Sequence, residues 1–230
     1  MRLVIISDTH LQHGFNVPSG DILVHCGDLT FRGDLSEISR AAAWLKELRP
    51  RFKAVVVVPG NHDWMAEKDP GMMRMMMEGA GCVYLDHRPA VVEGIRFFGS
   101  GYTPRFFDWA LNVDRGPRLA ALWSQIPEDT QVLITHGPPM GRLDVVKRPN
   151  GDLDSMAYAT TMKELHLDTH VGCADLAERI KSLPELRVHA FGHIHRPGIE
   201  IEGGVTYVNA SICDERYKAT HSPHIVEVPC

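Results

Sequence analysis

Five short polar stretches stand out in this chain: Ser7-Asp8-Thr9-His10, Gly27-Asp28, Gly60-Asn61-His62-Asp63, Thr135-His136-Gly137 and Gly192-His193-Ile194-His195. Within them Asp8, His10, Asp28, Asn61, His136, His193 and His195 offer hard oxygens and imidazoles, and no thiolate. Mixed N/O sets of this kind suit borderline divalent ions such as Mn, Fe, Zn, Ni or Co. Seven ligands are too many for one tetrahedral site, but they suit two ions that share a carboxylate. The 13 histidines of the sequence favour a metal site without placing it.

What must position these groups is a set of buried strands. Each stretch follows an apolar run: Leu3–Ile6, Asp21–His25, Phe52–Val58, Gln131–Thr135 and Arg187–Phe191. Val-rich runs such as Ala54–Val58 read as strands covered on both faces of a sheet. Pro59 and Gly60 end that run, leaving an amide, an imidazole and a carboxylate just past its carboxyl end, where open α/β sheets bind ligands. Helical spacing over Phe31–Arg49, with Leu35, Ile38, Ala42, Leu45 and Leu48 on one face and Pro50 closing it, makes a βαβ unit with its flanking strands. Parallel strands from such units would bring the exits to one edge of a sheet. Further expectations are a Met-rich helix over 65–80, a hairpin over 90–98 turning at Glu93-Gly94 and an irregular aromatic segment over 99–116. Helices over Pro117–Gln125 and Cys173–Leu183 and strands at Ile199–Ile201, Val205–Val208 and Ile225–Val228 complete the reading. Without a repeat or a linker, residues 1–230 read as a single domain.

Composition excludes some classes. At 44% hydrophobic and 23% charged residues the chain is an ordinary globular sequence, and its net charge of -5 argues against binding duplex nucleic acid. No run approaches the roughly 20 apolar residues that span a bilayer, and the apolar opening is too short for a signal peptide. Five scattered cysteines without C-x-x-C spacing read as reduced thiols. The expected location is cytoplasmic.

The five stretches, in this order, resemble the signature motifs of the calcineurin-like metallophosphoesterases. A narrower likeness to the small cyclic-nucleotide-phosphodiesterase-like metallophosphoesterase domain proteins rests on Gly27–Thr30, Phe98–Ser100, Tyr102–Pro104, the stretch around Trp109–Gly116, His136–Pro139 and Asn209–Ser211. The resemblance implies an α/β fold, a four-layer α-β-β-α sandwich with the active site at the carboxyl ends of the strands. It implies that Asp8, His10 and His195 hold a first metal, that Asn61, His136 and His193 hold a second, and that Asp28 bridges them. The resemblance also implies that Mn is the favoured ion in vitro. His62 matches the catalytic histidine, which stabilises developing charge or protonates the leaving oxygen while a hydroxide held between the metals attacks in line. The implied activity is hydrolysis of small phosphodiesters, cyclic nucleotides or aryl diesters. The alternatives are a phosphomonoesterase or nuclease on the same metals, and a non-catalytic scaffold of the same fold. One departure is clear: protein-phosphatase relatives support the catalytic His with an Asp at the position that is Phe31 here, before Arg32-Gly33, which argues against a Ser/Thr phosphatase.

Other residues carry two readings. His13 is a candidate phosphate contact or a solvated loop residue. Arg142, Lys147 and Arg148 could bind phosphate oxygens or form a charged loop within the long connection 140–169. Asn209 and Ser211 line the site or make a structural turn. Met65, Met72, Met73, Met75, Met76 and Met77 are adaptable core filler, or else a cleft wall or homodimer contact. His25 and His189 read as hydrogen-bonded strand histidines, Asp63 as a loop-orienting carboxylate.

Overall fold

The computed structural model describes residues 1–146 and 170–229. Lys147, Arg148 and most of the long connection lie outside them. The exits meet not at the edge of one sheet, as expected, but where two sheets come together. The first sheet holds β1 (Arg2–Ile6), β2 (Ile22–His25), β3 (Ala54–Val57) and β4 (Val83–Tyr84), all parallel. The last strand, β13 (His224–Glu227), joins its edge antiparallel to β1. The second sheet has a parallel core of β6 (Ile95–Ser100), β9 (Val132–Thr135), β10 (Val188–Phe191) and β12 (Val205–Asn209). Antiparallel edges are added by β5 (Arg88–Val92) and β11 (Gly198–Glu202). A short parallel pair, β7 (Thr103–Pro104) and β8 (Asn112–Val113), lies in the segment read as irregular.

Strand periodicity explains the layering. Successive side chains point to opposite faces, so Leu3, Ile5, Ile22, Val24 and Val56 meet Phe97, Val132, Ile134, Val188 and Val208 between the sheets. Their neighbours Val4, Ile6, Leu23, Val55 and Val57 face outward onto α1 (Leu35–Leu48) and α3 (Pro70–Gly79). On the far side Phe98, Leu133 and Phe191 pack against α4 (Pro117–Trp123) and α5 (Ala174–Ile180). Two sheets face to face with helices outside make the four-layer sandwich.

Two helical segments depart from what their apolar spacing suggested. α1 opens at Leu35 because Asp34 caps Glu37 N–H, while the Glu37 carboxylate accepts from the backbone N–H of Phe31, Arg32 and Gly33. Phe31–Gly33 therefore belong to a loop, and Leu35 is 57% exposed instead of facing the core. The Met-rich segment divides into α2 (Met65–Lys68) and α3, since Pro70 pushes Asp69 out of the helical region. Met73 and Met77 are fully buried, as core filler would be, whereas Met75 is exposed. Among the described residues no helix is long and apolar enough to cross a membrane.

Candidate metal centre

Five of the parallel strands end in the seven candidate ligands, and the turns that follow re-aim them. Asp8, His10, Asp28 and His193 all have left-handed backbone, with φ of 50, 42, 55 and 68°. For a non-glycine residue this conformation costs about 1–2 kcal/mol, so the packing around the exits holds them against strain. Glycine is required where two exits touch. A Cβ on Gly60 would lie 2.2 Å from Asp28 Oδ1, and one on Gly192 would lie 2.0 Å from Asp8 Oδ2. The two sheets are also tied together at their ends: Ser7 bridges Ser211, and Ser211 Oγ donates to Asp8 Oδ2 at 2.8 Å.

The imidazoles share one device. His10 Nδ1 lies 2.8 Å from the Thr30 carbonyl, His136 Nδ1 2.9 Å from that of Cys26, and His195 Nδ1 2.8 Å from that of Asp214. A carbonyl can only accept, so each Nδ1 carries the proton and each Nε2 presents a lone pair. These lone pairs converge on oxygen. His195 Nε2 is 3.4 Å from both Asp8 Oδ1 and His10 Nε2. His136 Nε2 is 3.2 Å from Asp28 Oδ2 and 2.9 Å from Asn61 Oδ1, which also lies 2.7 Å from His193 Nδ1. Asp28 Oδ2 is in addition 3.8 Å from His10 Nε2, so a single oxygen faces both groups of ligands.

Acceptors aimed at one another across such distances repel unless a cation lies between them. The ligand atoms of Asp8, His10 and His195, and those of Asp8, Asp28 and His136, each fall within 4.8 Å of one another. The residues present therefore fit two divalent ions. A proton is the lesser substitute: burial alone would lower the His136 pKa, but the Asp28 carboxylate outweighs it and raises it to about 9. Burial would likewise raise Asp8, yet its hydrogen bond and charge interaction with His195 hold it far below the usual carboxylate range. His193, buried beside His136, is pushed down to about 3.

His62 is placed from two sides. Its backbone N–H donates to Asp28 Oδ1 at 2.8 Å, and its Nδ1 donates to the Phe31 carbonyl at 2.8 Å. Thus the position where phosphatase-like relatives would supply a carboxylate supplies a backbone oxygen instead. Asp63, fully buried, takes N–H from Gly60 and Leu29 on Oδ2 and N–H and hydroxyl from Thr30 on Oδ1, fastening the β2 exit to the β3 exit. Burial and the charge of Asp28 raise its pKa to about 6 against those four donors.

The three expected substrate contacts have partners within the protein. His13 stacks on Trp44 of α1, ring centroids 4.2 Å apart. Arg142 is engaged by Glu200 and Glu202 of β11 and lies over the Tyr207 ring. Asn209, fully buried, donates to the Ile194 carbonyl and accepts from Ser211, so it braces the β10 exit. His25 and His189 each bond a threonine hydroxyl, Thr9 and Thr135. The groups that sequence reasoning missed are mostly backbone: the carbonyls of Cys26, Thr30, Phe31 and Asp214 have no signature in side-chain order. Tyr217 also went unnoticed, although its ring lies edge-on to His10 with centroids 4.8 Å apart.

Residues 1–197 match the sequence profile of a family described as calcineurin-like phosphoesterase. Metallophosphoesterase domain-containing protein 1 of Homo sapiens is 32% identical over an alignment of 251 positions, covering 99% of this chain and 71% of that protein. Among solved structures, phosphopantetheinyl hydrolase from Mycobacterium tuberculosis superposes with a TM-score of 0.56 at 20% identity, covering 94% of this chain and 90% of that one. A Thermus thermophilus protein, TT1561, superposes at 0.55 with 15% identity over 90% of this chain and 88% of its own. At these identities the structural likenesses speak for the fold alone.

Proposed function

Since this chain belongs to the calcineurin-like phosphoesterase family, we propose that it is a metal-dependent phosphodiesterase acting on small phosphodiesters. The observation that carries the reading is the convergence of Nε2 lone pairs and carboxylate oxygens on two adjoining points, with Asp28 Oδ2 facing both. Asp8, His10 and His195 would hold one divalent ion, Asn61, His136 and His193 the other, with Asp28 between. Bound there, the ions would supply Lewis acidity, acidifying water and neutralising phosphoryl charge.

The chain's own groups do the rest. Asp28 divides its work: Oδ2 faces the ligands while Oδ1 accepts from His62 N–H, so metal binding and the position of His62 are coupled. With Nδ1–H held by Phe31, His62 has Nε2 free to exchange a proton with an ester oxygen. Preference for diesters is supported by what surrounds His62. Trp109 and Tyr217 bring aromatic rings to it, surfaces better matched to the two organic groups of a monoanionic diester than to a dianionic monoester.

The test is to assay the purified protein with Mn, Zn or Co against a cyclic nucleotide, an aryl diester and an aryl monoester. Turnover of diesters ahead of the monoester is expected. Absence of hydrolysis with every ion would refute the enzymatic reading, and a preference for the monoester would refute the diesterase one.

A further inference from the structure

Two aromatic side chains from remote parts of the chain frame His62. The Trp109 ring lies 4.1 Å from the His62 ring, tilted by 31°. Tyr217 stands 5.9 Å from His62 and edge-on to two ligands, 4.8 Å from His10 and 5.5 Å from His195. Neither is covered as a core ring would be: Trp109 is half-buried and Tyr217 is 37% exposed.

The turn that carries Tyr217 is built to hold it there. Its φ of 58° is an outlier for so bulky a residue. The conformation is fixed by Asp214, whose carbonyl accepts Tyr217 N–H at 2.9 Å and whose Oδ1 accepts the N–H groups of Arg216 and Lys218. The same carbonyl accepts His195 Nδ1–H, so a single residue sets both a candidate ligand and the aromatic ring beside it. Next to this turn a cavity of about 200 Å³, lined by His195, Asp214, Glu215, Arg216 and His221, adjoins the candidate ligand His195.

We propose that Trp109 and Tyr217 are the walls of a leaving-group subsite that takes a flat aromatic ring attached at or near the phosphorus. The proposal rests on the phosphoesterase reading above. An ester oxygen that exchanges a proton with His62 Nε2 must lie beside that ring, so the group it carries leaves past Trp109 or Tyr217. Aromatic pairs in offset or edge geometry, with centroids 4.5–7 Å apart, gain about 0.5–1.5 kcal/mol beyond area burial. A ring seated here gains this contact and a methyl group does not.

The experiment uses two non-hydrolysable probes, phenylphosphonate and methylphosphonate, titrated calorimetrically into the Mn-loaded protein. The wild type is expected to bind phenylphosphonate roughly 2- to 12-fold more tightly. Tyr217→Leu and Trp109→Leu should each shrink that ratio while methylphosphonate affinity and Mn content stay as they were, and Tyr217→Phe should keep it. Equal binding of the two probes by the wild type would overturn the subsite and leave the phosphoesterase reading standing. So would a ratio unchanged in both Leu variants, or a parallel loss of methylphosphonate affinity, which would make the rings mere supports of the ligands. Binding of neither probe by the wild type would overturn the subsite, while the phosphoesterase reading would stand or fall on the turnover assay above.

Discussion

Stripping the metals should make stability fall steeply above neutral pH, and His136 sets the size of the effect. In the folded protein its pKa is raised from 6.5 to about 9, because the buried ring lies 3.2 Å from Asp28. A histidine raised on folding contributes its full stabilisation below the unfolded pKa and loses it as pH rises through the folded one. The window is therefore pH 6.5 to 9. At 1.36 kcal/mol per unit, 2.5 units come to about 3 kcal/mol. The depressed Asp28 pKa is the other half of the same interaction and is counted once. With a urea m-value of about 1–3 kcal/mol/M, the midpoint of the chelated protein should drop by about 1–3 M across that window. Mn-loaded protein should show little of this slope, because a cation replaces the proton, and His136→Asn should flatten the chelated curve. A pH-independent chelated protein, or an equal slope with Mn bound, would refute the reasoning.

The remaining expectations concern how the exits hold one another. Asp28→Asn should lose metal content and turnover together, whereas His62→Ala should keep the metals and lose turnover; elemental analysis beside a diester assay separates them, and full metal content in the Asp28 variant contradicts its placement between the ions. Gly60→Ala puts a methyl group 2.2 Å from Asp28 Oδ1 and should cost about 1–3 kcal/mol of stability by urea unfolding, with weakened metal binding by calorimetry. Asp63→Asn replaces, in either amide orientation, one oxygen that accepts two donors by an NH2 group. Two buried donors then lose partners at about 1–3 kcal/mol each, and thermal unfolding at pH 7 should show it; a variant as stable as wild type would deny Asp63 its fastening role.

The parts of this structure that could be read from sequence are those that depend on side-chain type and period. The unbroken apolar runs Leu3–Ile6 and Val55–Val58 encode strands buried on both faces, and the polar exits follow directly in the sequence. The division into two sheets is not encoded locally, because the parallel strands of both sheets look alike until long-range pairing is known. Met-rich periodicity gave α3 but concealed the break at Pro70. In the candidate centre, ligand types were visible, while what orients them was not. The carbonyls that fix the tautomers of His10, His136 and His195 belong to residues whose side chains are irrelevant to the task. Arg142 shows the converse. A cation following the β9 exit invites a phosphate, but Glu200 and Glu202 come from a strand that only the fold places beside it.

The bridge between Ser7 and Ser211, and the pairing of β1 with β13, bear on how the protein is made. Asp8 precedes Ser211, which braces its carboxylate, by 203 residues, and its carbonyl accepts from Cys213 N–H. While the chain emerges, β1 has β2 on one side and an open edge on the other, the arrangement most prone to wrong pairing. The metal ligands at its end cannot settle into their strained turns until residues 211–227 arrive. Nascent chains stalled before residue 211 should fail to retain metal, which would make metal capture depend on contacts across 203 residues of sequence.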